Sequence, residues 1–144
     1  MIIPAQLSQL NEIEKIENSS FEKPWKRSQL KDDIQNNFNS ENWVFIKDEK
    51  VVGYIFGWII QNEFHLHNIA VHPNYRRQKI GQKLINYIIS RIAAQRVNFI
   101  LLEVSVNNVS ARKCYQSLGF IEVGQRKDYY SKGDDAILYN LEIN

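Results

Sequence analysis

The chain contains one cysteine, three prolines and six glycines in 144 residues. With Cys114 alone, no internal disulfide can form and no multi-cysteine zinc site can be assembled. Long apolar runs are missing as well. The longest, Val51 to Ile60, holds two glycines and falls short of the roughly 18 residues a membrane span needs. Neither charge dominates: 18 Lys and Arg against 16 Asp and Glu leave +2, with the signs interleaved, so neither direct nucleic-acid binding nor membrane association is expected. The opening Met1-Ile2-Ile3-Pro4 lacks a basic segment followed by a small-residue cleavage site, so no secretory signal and a cytoplasmic location are expected. No repeat or low-complexity tract interrupts the chain, which is read as one domain over 1–144. What is present is the balance of an ordinary globule, 44% hydrophobic and 24% charged.

Periodicity divides the chain into alternating elements. Ile2 and Ile3 form a short strand that Pro4 closes. Leu7, Leu10, Ile13 and Ile16 recur at helical spacing, and Asn18-Ser19-Ser20 ends that helix. Phe21 to Trp25 reads as a loop around Pro24. A weaker helix follows from about Lys26, carrying Leu30 and Ile34, with Gln35 to Ser40 as a loop. Strands are expected at Trp43 to Ile46, Val51 to Ile60 and Glu63 to Val71, the first two joined by a tight turn at Lys47 to Lys50. Gly53 and Gly57 inside the second signal a bulge or a close backbone approach. Helix returns from Ile80 to about Arg96, with Leu84, Ile88 and Ile92 on one face and Ile85 and Ile89 beside them. Val97 to Val106 is a strand, Val109 to Leu118 a short helix, and Gly119 its left-handed stop. Phe120 to Val123 and Ala136 to Ile143 are the last strands, with a loop from Lys127 to Asp135 between them. The expected fold class is α/β, a mixed sheet with helices.

The segment from His67 to Leu84 carries the most chemistry. A strand runs into a basic, polar turn and directly into an amphipathic helix. The first amides of such a helix have no internal partners, and its dipole favours negative charge there. Arg76, Arg77 and Lys79 add positive charge at the same place, with Lys83 one turn on. A patch this small suits a compact anion such as the pyrophosphate of a cofactor. The plain alternative is a β–α connection with a solvated turn.

Two blocks resemble the GCN5-related N-acetyltransferases. Arg76-Arg77-Gln78-Lys79-Ile80-Gly81 is similar to their Arg/Gln-x-x-Gly-x-Gly/Ala loop, except that Lys79 stands where the first glycine usually stands. A helix start tolerates a residue with negative φ, so Lys79 is expected to sit there and keep its amide. The run from Leu102-Glu103-Val104 through Asn108, Ala111 and Tyr115 to Gly119-Phe120 resembles the more specific L-E-V-x-x-x-N-x-x-A-x-x-x-Y-x-x-x-G-F signature. With Asn18 to Phe21, Pro24-Trp25 and Arg126 to Tyr130, the resemblance spans nearly the whole chain. Within the family it is nearest the bacterial ribosomal-protein-alanine N-acetyltransferases (RimI-type).

The resemblance implies a mostly antiparallel, twisted sheet flanked by helices, and acetyl-CoA as cosubstrate without a metal. It also implies roles. Ile69, Ala70 and Val71 would offer strand-edge groups to the pantetheine arm. Arg77, Gln78, Lys79, Ile80, Gly81 and Gln82 would bind the pyrophosphate, and Asn108 the cofactor arm. Glu103 would be general base and Tyr115 general acid. The partner implied is a protein N-terminus, the alanine of ribosomal small-subunit protein eighteen. An α-amine, with a pKa of about 7.7–8.0, must lose a proton to attack a thioester, and the departing thiolate needs one.

Each of these residues also has a plainer reading. Glu103 is a carboxylate in a hydrophobic strand, costly unless paired. Tyr115 would be a half-buried helix aromatic, and Asn108 a helix cap. Cys114, about 100° around the helix from Tyr115, reads as inert rather than nucleophilic. His65, His67 and His72 read as surface or cleft residues rather than metal ligands. Phe21, Trp25, Tyr129 and Tyr130 suit either a core or a peptide groove. Other readings of the function are acetylation of another peptide N-terminus or a small amine, and a non-catalytic acyl-CoA-binding module.

Overall fold

The computed structural model describes residues 1–143; Asn144, the last residue of the expected domain, lies outside them. Among the described residues seven strands form one sheet: β1 (Ile2–Pro4), β2 (Ser40–Lys47), β3 (Lys50–Ile60), β4 (Glu63–Val71), β5 (Phe99–Ser105), β6 (Ile121–Ser131) and β7 (Asp134–Glu142). Four α-helices accompany them: α1 (Leu10–Ser20), α2 (Arg27–Asn36), α3 (Ile80–Ala93) and α4 (Val109–Ser117). The strand order is β1-β2-β3-β4-β5-β7-β6, and only the β4–β5 pair is parallel. This is the mixed, mostly antiparallel layout expected from the sequence.

The sheet separates two apolar layers. On one face α3 buries Ile80, Leu84, Ile85, Ile88 and Ile92 against Val52, Ile55, Phe64, Leu66, Ile100 and Leu102. These helix positions repeat every three or four residues, the spacing of one helical stripe. On the other face Leu10, Ile13 and Ile16 of α1 and Leu30 of α2 cover Val44, Val51, Tyr54, Phe56 and Ala70.

The glycines inside β3 act as the sequence suggested. A Cβ on Gly57 would lie 2.1 Å from the Phe64 ring, and one on Gly53 would meet Ile80 at 3.1 Å and the Ala70 carbonyl at 3.2 Å. Gly57 pairs with Leu66 and Phe56 with Asn68, so His67 is the extra residue of a bulge in β4. Asp48 and Glu49 both have positive φ, the geometry of a tight two-residue hairpin turn. Gly119, at φ +98°, ends α4 as expected.

Three expectations need correction. The helix that begins at Leu7 opens as a 3-10 turn and becomes α-helix only at Leu10, although it ends at Ser20 as expected. The stretch from Lys127 to Asp135 is mostly strand, with a turn at Lys132 and Gly133 between β6 and β7. Its ladder register lapses between Arg126 and Ser131, and carboxylates take over the main-chain donors there: Asp135 accepts from the Asp128 amide at 2.8 Å, and Asp128 from the Gly133 amide at 2.7 Å. Lys79 has φ +62°, not a negative value, because it caps α3 in the left-handed region. The turn needs that backbone shape whichever residue occupies it.

Candidate active site

β4 and β5 pair only from Glu63 opposite Phe99 to Leu66 opposite Leu102. Beyond that point Glu103 to Ser105 pair only with β7, and Asn68 to Val71 only with β3. The bulge at His67 marks where the strands part. The two middle strands thus leave a wedge whose facing edges have no ladder partner. Unpaired strand edges invite an extended ligand that supplies the missing hydrogen bonds. Ile69, Ala70 and Val71 line the β4 side of this wedge.

At the end of β4 the chain makes a basic loop. His72 Nδ1 accepts from the Asn74 amide at 3.1 Å, and Arg76 Nε donates to the Val71 carbonyl at 3.1 Å. Arg77 and Lys79 both adopt positive φ, +63° and +62°. Neither enters an ion pair among the described residues. The first intrahelical bond of α3 runs from the Lys83 amide to the Lys79 carbonyl, leaving the amides of Ile80, Gly81 and Gln82 without helical acceptors. A Cβ on Gly81 would meet nothing within 4 Å, so the helix start is open to a close-approaching group. Gln78 is engaged by Lys47, whose Nζ donates to its Oε1 at 2.7 Å. This donor set fits a pyrophosphate. A separate hollow of about 750 Å³, bordered by Glu12, Lys15, Ser19, Lys50, His72 and Tyr75, backs onto this loop and touches neither Glu103 nor Tyr115.

Glu103 stands on β5 just past the divergence and is partly buried. Its Oε1 lies 3.3 Å from Arg126 Nε, which answers the cost of placing a carboxylate among Leu102 and Val104. The Arg126 guanidinium in turn lies 5.5 Å from the centre of the Tyr129 ring. Tyr115 is the buried residue of α4, packed against Phe120 and Tyr139. Burial, with smaller contributions from Cys114 and Tyr130, pushes its phenol well above the usual range. The Tyr130 phenol is pushed up to about 12, by burial first and then by Glu103, Tyr129 and Asp134. Tyr130 thus lies within electrostatic reach of both Glu103 and Tyr115. Asn108 caps α4, its Oδ1 accepting from the Ala111 amide at 3.2 Å, so the plain reading of this residue holds. Burial pushes the Cys114 thiol up, by more than a bond to Gln82 draws it down, which disfavours a nucleophilic thiolate.

The other rim of the wedge is aromatic. The His67 ring lies 4.4 Å from Trp58 and 6.0 Å from Trp25. Burial lowers the affinity of that imidazole for a proton, partly offset by Asp33. Trp58 Nε1 donates to the buried Asp33 at 2.6 Å. His65 pairs instead with Glu63, at 3.2 Å. The sequence reading missed three buried groups here, Glu17, Asp33 and Asn68. A signal existed for the first, since Glu17 falls four residues after Ile13 on the apolar stripe of α1.

A family model described as the acetyltransferase (GNAT) family matches residues 10–120. The chain is 34% identical over 106 residues to the [ribosomal protein bS18]-alanine N-acetyltransferase of Escherichia coli (strain K12), covering 72% of each protein. It is 31% identical over 140 residues to a Bacillus subtilis (strain 168) protein provisionally given the same name, covering 96% of this chain and 93% of that one. The crystal structure of the ribosomal-protein-S18-alanine N-acetyltransferase from Escherichia coli superposes with a TM-score of 0.91 at 27% identity, over 100% of this chain and 94% of that one. The chain therefore belongs to the GNAT family and is an N-acetyltransferase. Among its members it is similar to the RimI-type enzymes. No helix among the described residues is long and apolar enough to cross a membrane.

Proposed function

We propose that this enzyme transfers acetyl from acetyl-CoA directly to the N-terminal alanine α-amine of ribosomal small-subunit protein eighteen, the reaction named for its Escherichia coli and Bacillus subtilis relatives. The observation that carries the proposal is the wedge itself. A basic helix start lies at one end of it, and Glu103 stands on the strand opposite the free β4 edge.

In this reading the amides of Gln78, Lys79, Ile80, Gly81 and Gln82, with the Arg77 guanidinium, hold the pyrophosphate at the N-terminus of α3. The edge groups of Ile69, Ala70 and Val71 take the pantetheine arm as an added strand would, and the Asn108 amino group donates to the arm. Amides near Val71 also meet charge that develops on the acetyl oxygen. Glu103, anchored through Oε1 by Arg126, accepts the proton of the attacking amine through its other oxygen, directly or by way of a water. Tyr115 gives a proton to the leaving sulfur. The phenol is protonated through the neutral range, so its proton is in place when the sulfur departs. The attack forms the C–N bond and breaks the C–S bond, so no enzyme-bound acyl group is needed. Trp25, Tyr129 and Tyr130 frame the peptide side.

The test is turnover of acetyl-CoA with peptides that begin with the bS18 N-terminal residues, with peptides of altered first residue, and with small amines. The expected result is a preference for the alanine-starting peptide. Preference for a small amine would move the activity to the neighbouring reading within the family. Tight acetyl-CoA binding without turnover on any amine would make the chain a binding module.

A further inference from the structure

We propose that Glu17 is a positioning residue that sets both rims of the acceptor end of the wedge, through the Trp25 amide and the Asn68 carboxamide. Glu17 is 1% exposed. Its Oε2 accepts from the Trp25 main-chain N–H at 2.8 Å, and Asn68 Nδ2 donates to its two oxygens at 3.0 and 2.8 Å. The Tyr54 hydroxyl donates to Oε1. No cation pairs with this carboxylate among the described residues, so neutral donors alone offset its removal from water. Apolar side chains fill such core positions without that desolvation cost, and stability alone does not call for a carboxylate here.

What the carboxylate joins is informative. Trp25 belongs to the segment between α1 and α2, and its ring approaches His67. Asn68 is the first β4 residue after the bulge, where the strand has left β5. The two arms of Glu17 therefore hold His67 from both sides: its chain neighbour on the cofactor edge and its ring neighbour on the peptide rim. Among the described residues Asn68 Oδ1 has no hydrogen-bond partner, so of these only Glu17 fixes how that carboxamide is turned. Tyr54 is the third arm. It lies in β3 opposite Ala70, and its hydroxyl bonds neither Trp25 nor Asn68, so removing that hydroxyl alone separates stability from positioning.

The proposal rests on the acetyl-transfer reading for its assay, so kinetics use whichever amine the wild-type enzyme acetylates, and acetyl-CoA binding is also titrated directly. Glu17→Gln keeps the volume but replaces one acceptor oxygen with a donor, so the Trp25 and Asn68 arms cannot both persist unchanged. KM for acetyl-CoA and for the amine should each rise by about tenfold, the effect of one buried polar group losing its partner. Tyr54→Phe removes the third arm. It should lower Tm while both KM values stay within about twofold of wild type. Asn68→Ala, which leaves the Trp25 arm intact, should raise the acetyl-CoA Kd and KM without raising the amine KM, and it serves alone should Glu17→Gln not fold. Lowered Tm with unchanged KM in the Glu17 and Asn68 variants, or equal KM changes in Tyr54→Phe, would reduce Glu17 to a structural carboxylate. A wild-type enzyme that acetylates no amine would overturn the transfer reading, and the Asn68→Ala and Tyr54→Phe titrations with acetyl-CoA would still decide this one.

Discussion

Lys23 Nζ donates to the main-chain carbonyl of Tyr130 at 2.6 Å, joining residues 107 apart in the chain. The bond ties the segment between α1 and α2 to β6, across the end of the wedge where a peptide would enter. It is exposed to solvent and engages a carbonyl that carries no side-chain chemistry, so its effect is on geometry. Lys23→Met should leave Tm and acetyl-CoA affinity near wild type and raise the peptide KM about two- to tenfold, the range of one net hydrogen bond. Steady-state kinetics with each substrate varied in turn checks this, and an unchanged peptide KM would show the tie to be incidental.

Tyr115→Phe removes one hydroxyl and keeps the ring packed against Phe120 and Tyr139. The expected outcome is a kcat lowered by about 10²–10⁴, the usual contribution of a general acid, with acetyl-CoA binding little altered. Single-turnover rates and a binding titration separate the two. Retention of half the rate or more would remove Tyr115 from the mechanism.

Glu103→Gln keeps shape and hydrogen-bonding capacity but not the basic oxygen. The variant should bind acetyl-CoA and turn over slowly near neutral pH. Raising the pH deprotonates more of the free amine, so part of the lost rate should return, while the wild type reaches its plateau at lower pH. Parallel pH–rate profiles of equal height would assign Glu103 a purely structural pairing with Arg126.

Gly81 offers a prediction with two opposite signs. A Cβ there meets nothing within the protein, and alanine is favoured over glycine in a helix by about 0.5–1 kcal/mol, so Gly81→Ala should raise Tm. The same methyl stands where the proposed pyrophosphate would approach the amides, so acetyl-CoA affinity should fall. Raised stability with undiminished affinity would locate the phosphate elsewhere.

Burial first, then Glu103, Tyr129 and Asp134, push the Tyr130 phenol up to about 12 in the folded protein, against about 10 when unfolded. Its contribution to stability is therefore full below pH 10 and lost as the pH rises from about 10 to 12, because the unfolded chain gives up the proton first. Tm of the wild type should fall faster through that window than Tm of Tyr130→Phe. Thermal melts at closely spaced alkaline pH test it, and identical slopes would contradict the assignment.

Much of this architecture was legible because local signals agreed with the final packing. The stripe of α3, the turn at Asp48-Glu49, the left-handed stop at Gly119 and the close approaches at Gly53 and Gly57 each follow from residue type and spacing. β6 beyond Val123 was not, because it is an edge strand exposed on both sides, and Gln125-Arg126-Lys127-Asp128 carries no alternation to reveal it. Lys79 hid its backbone conformation, since a lysine announces no positive φ as a glycine does. The candidate site was readable as residues but not as relationships. Arg126 beside Glu103 depends on strand register and Asn68 beneath Glu17 on how α1 packs over the sheet, and the second pair is separated by 51 positions. No periodicity within a window of 18 residues reaches that far.

The extra residue at His67 works as a half-period phase change. Before it, Phe64 and Leu66 lie in the layer under α3; after it, Ile69 and Val71 do, while Ala70 falls in the layer under α1. Strand parity is thus even on one side of the bulge and odd on the other. Were β4 to run through His67 without the bulge, unbroken alternation would send Ile69 and Val71 into space shaped for Ala70, while Asn68 would rotate off Glu17 toward aliphatic neighbours. Deleting His67 would instead leave each later residue on its present face and remove the bulge alone, so this one residue governs how the strand bends away from β5 rather than which side chains it buries.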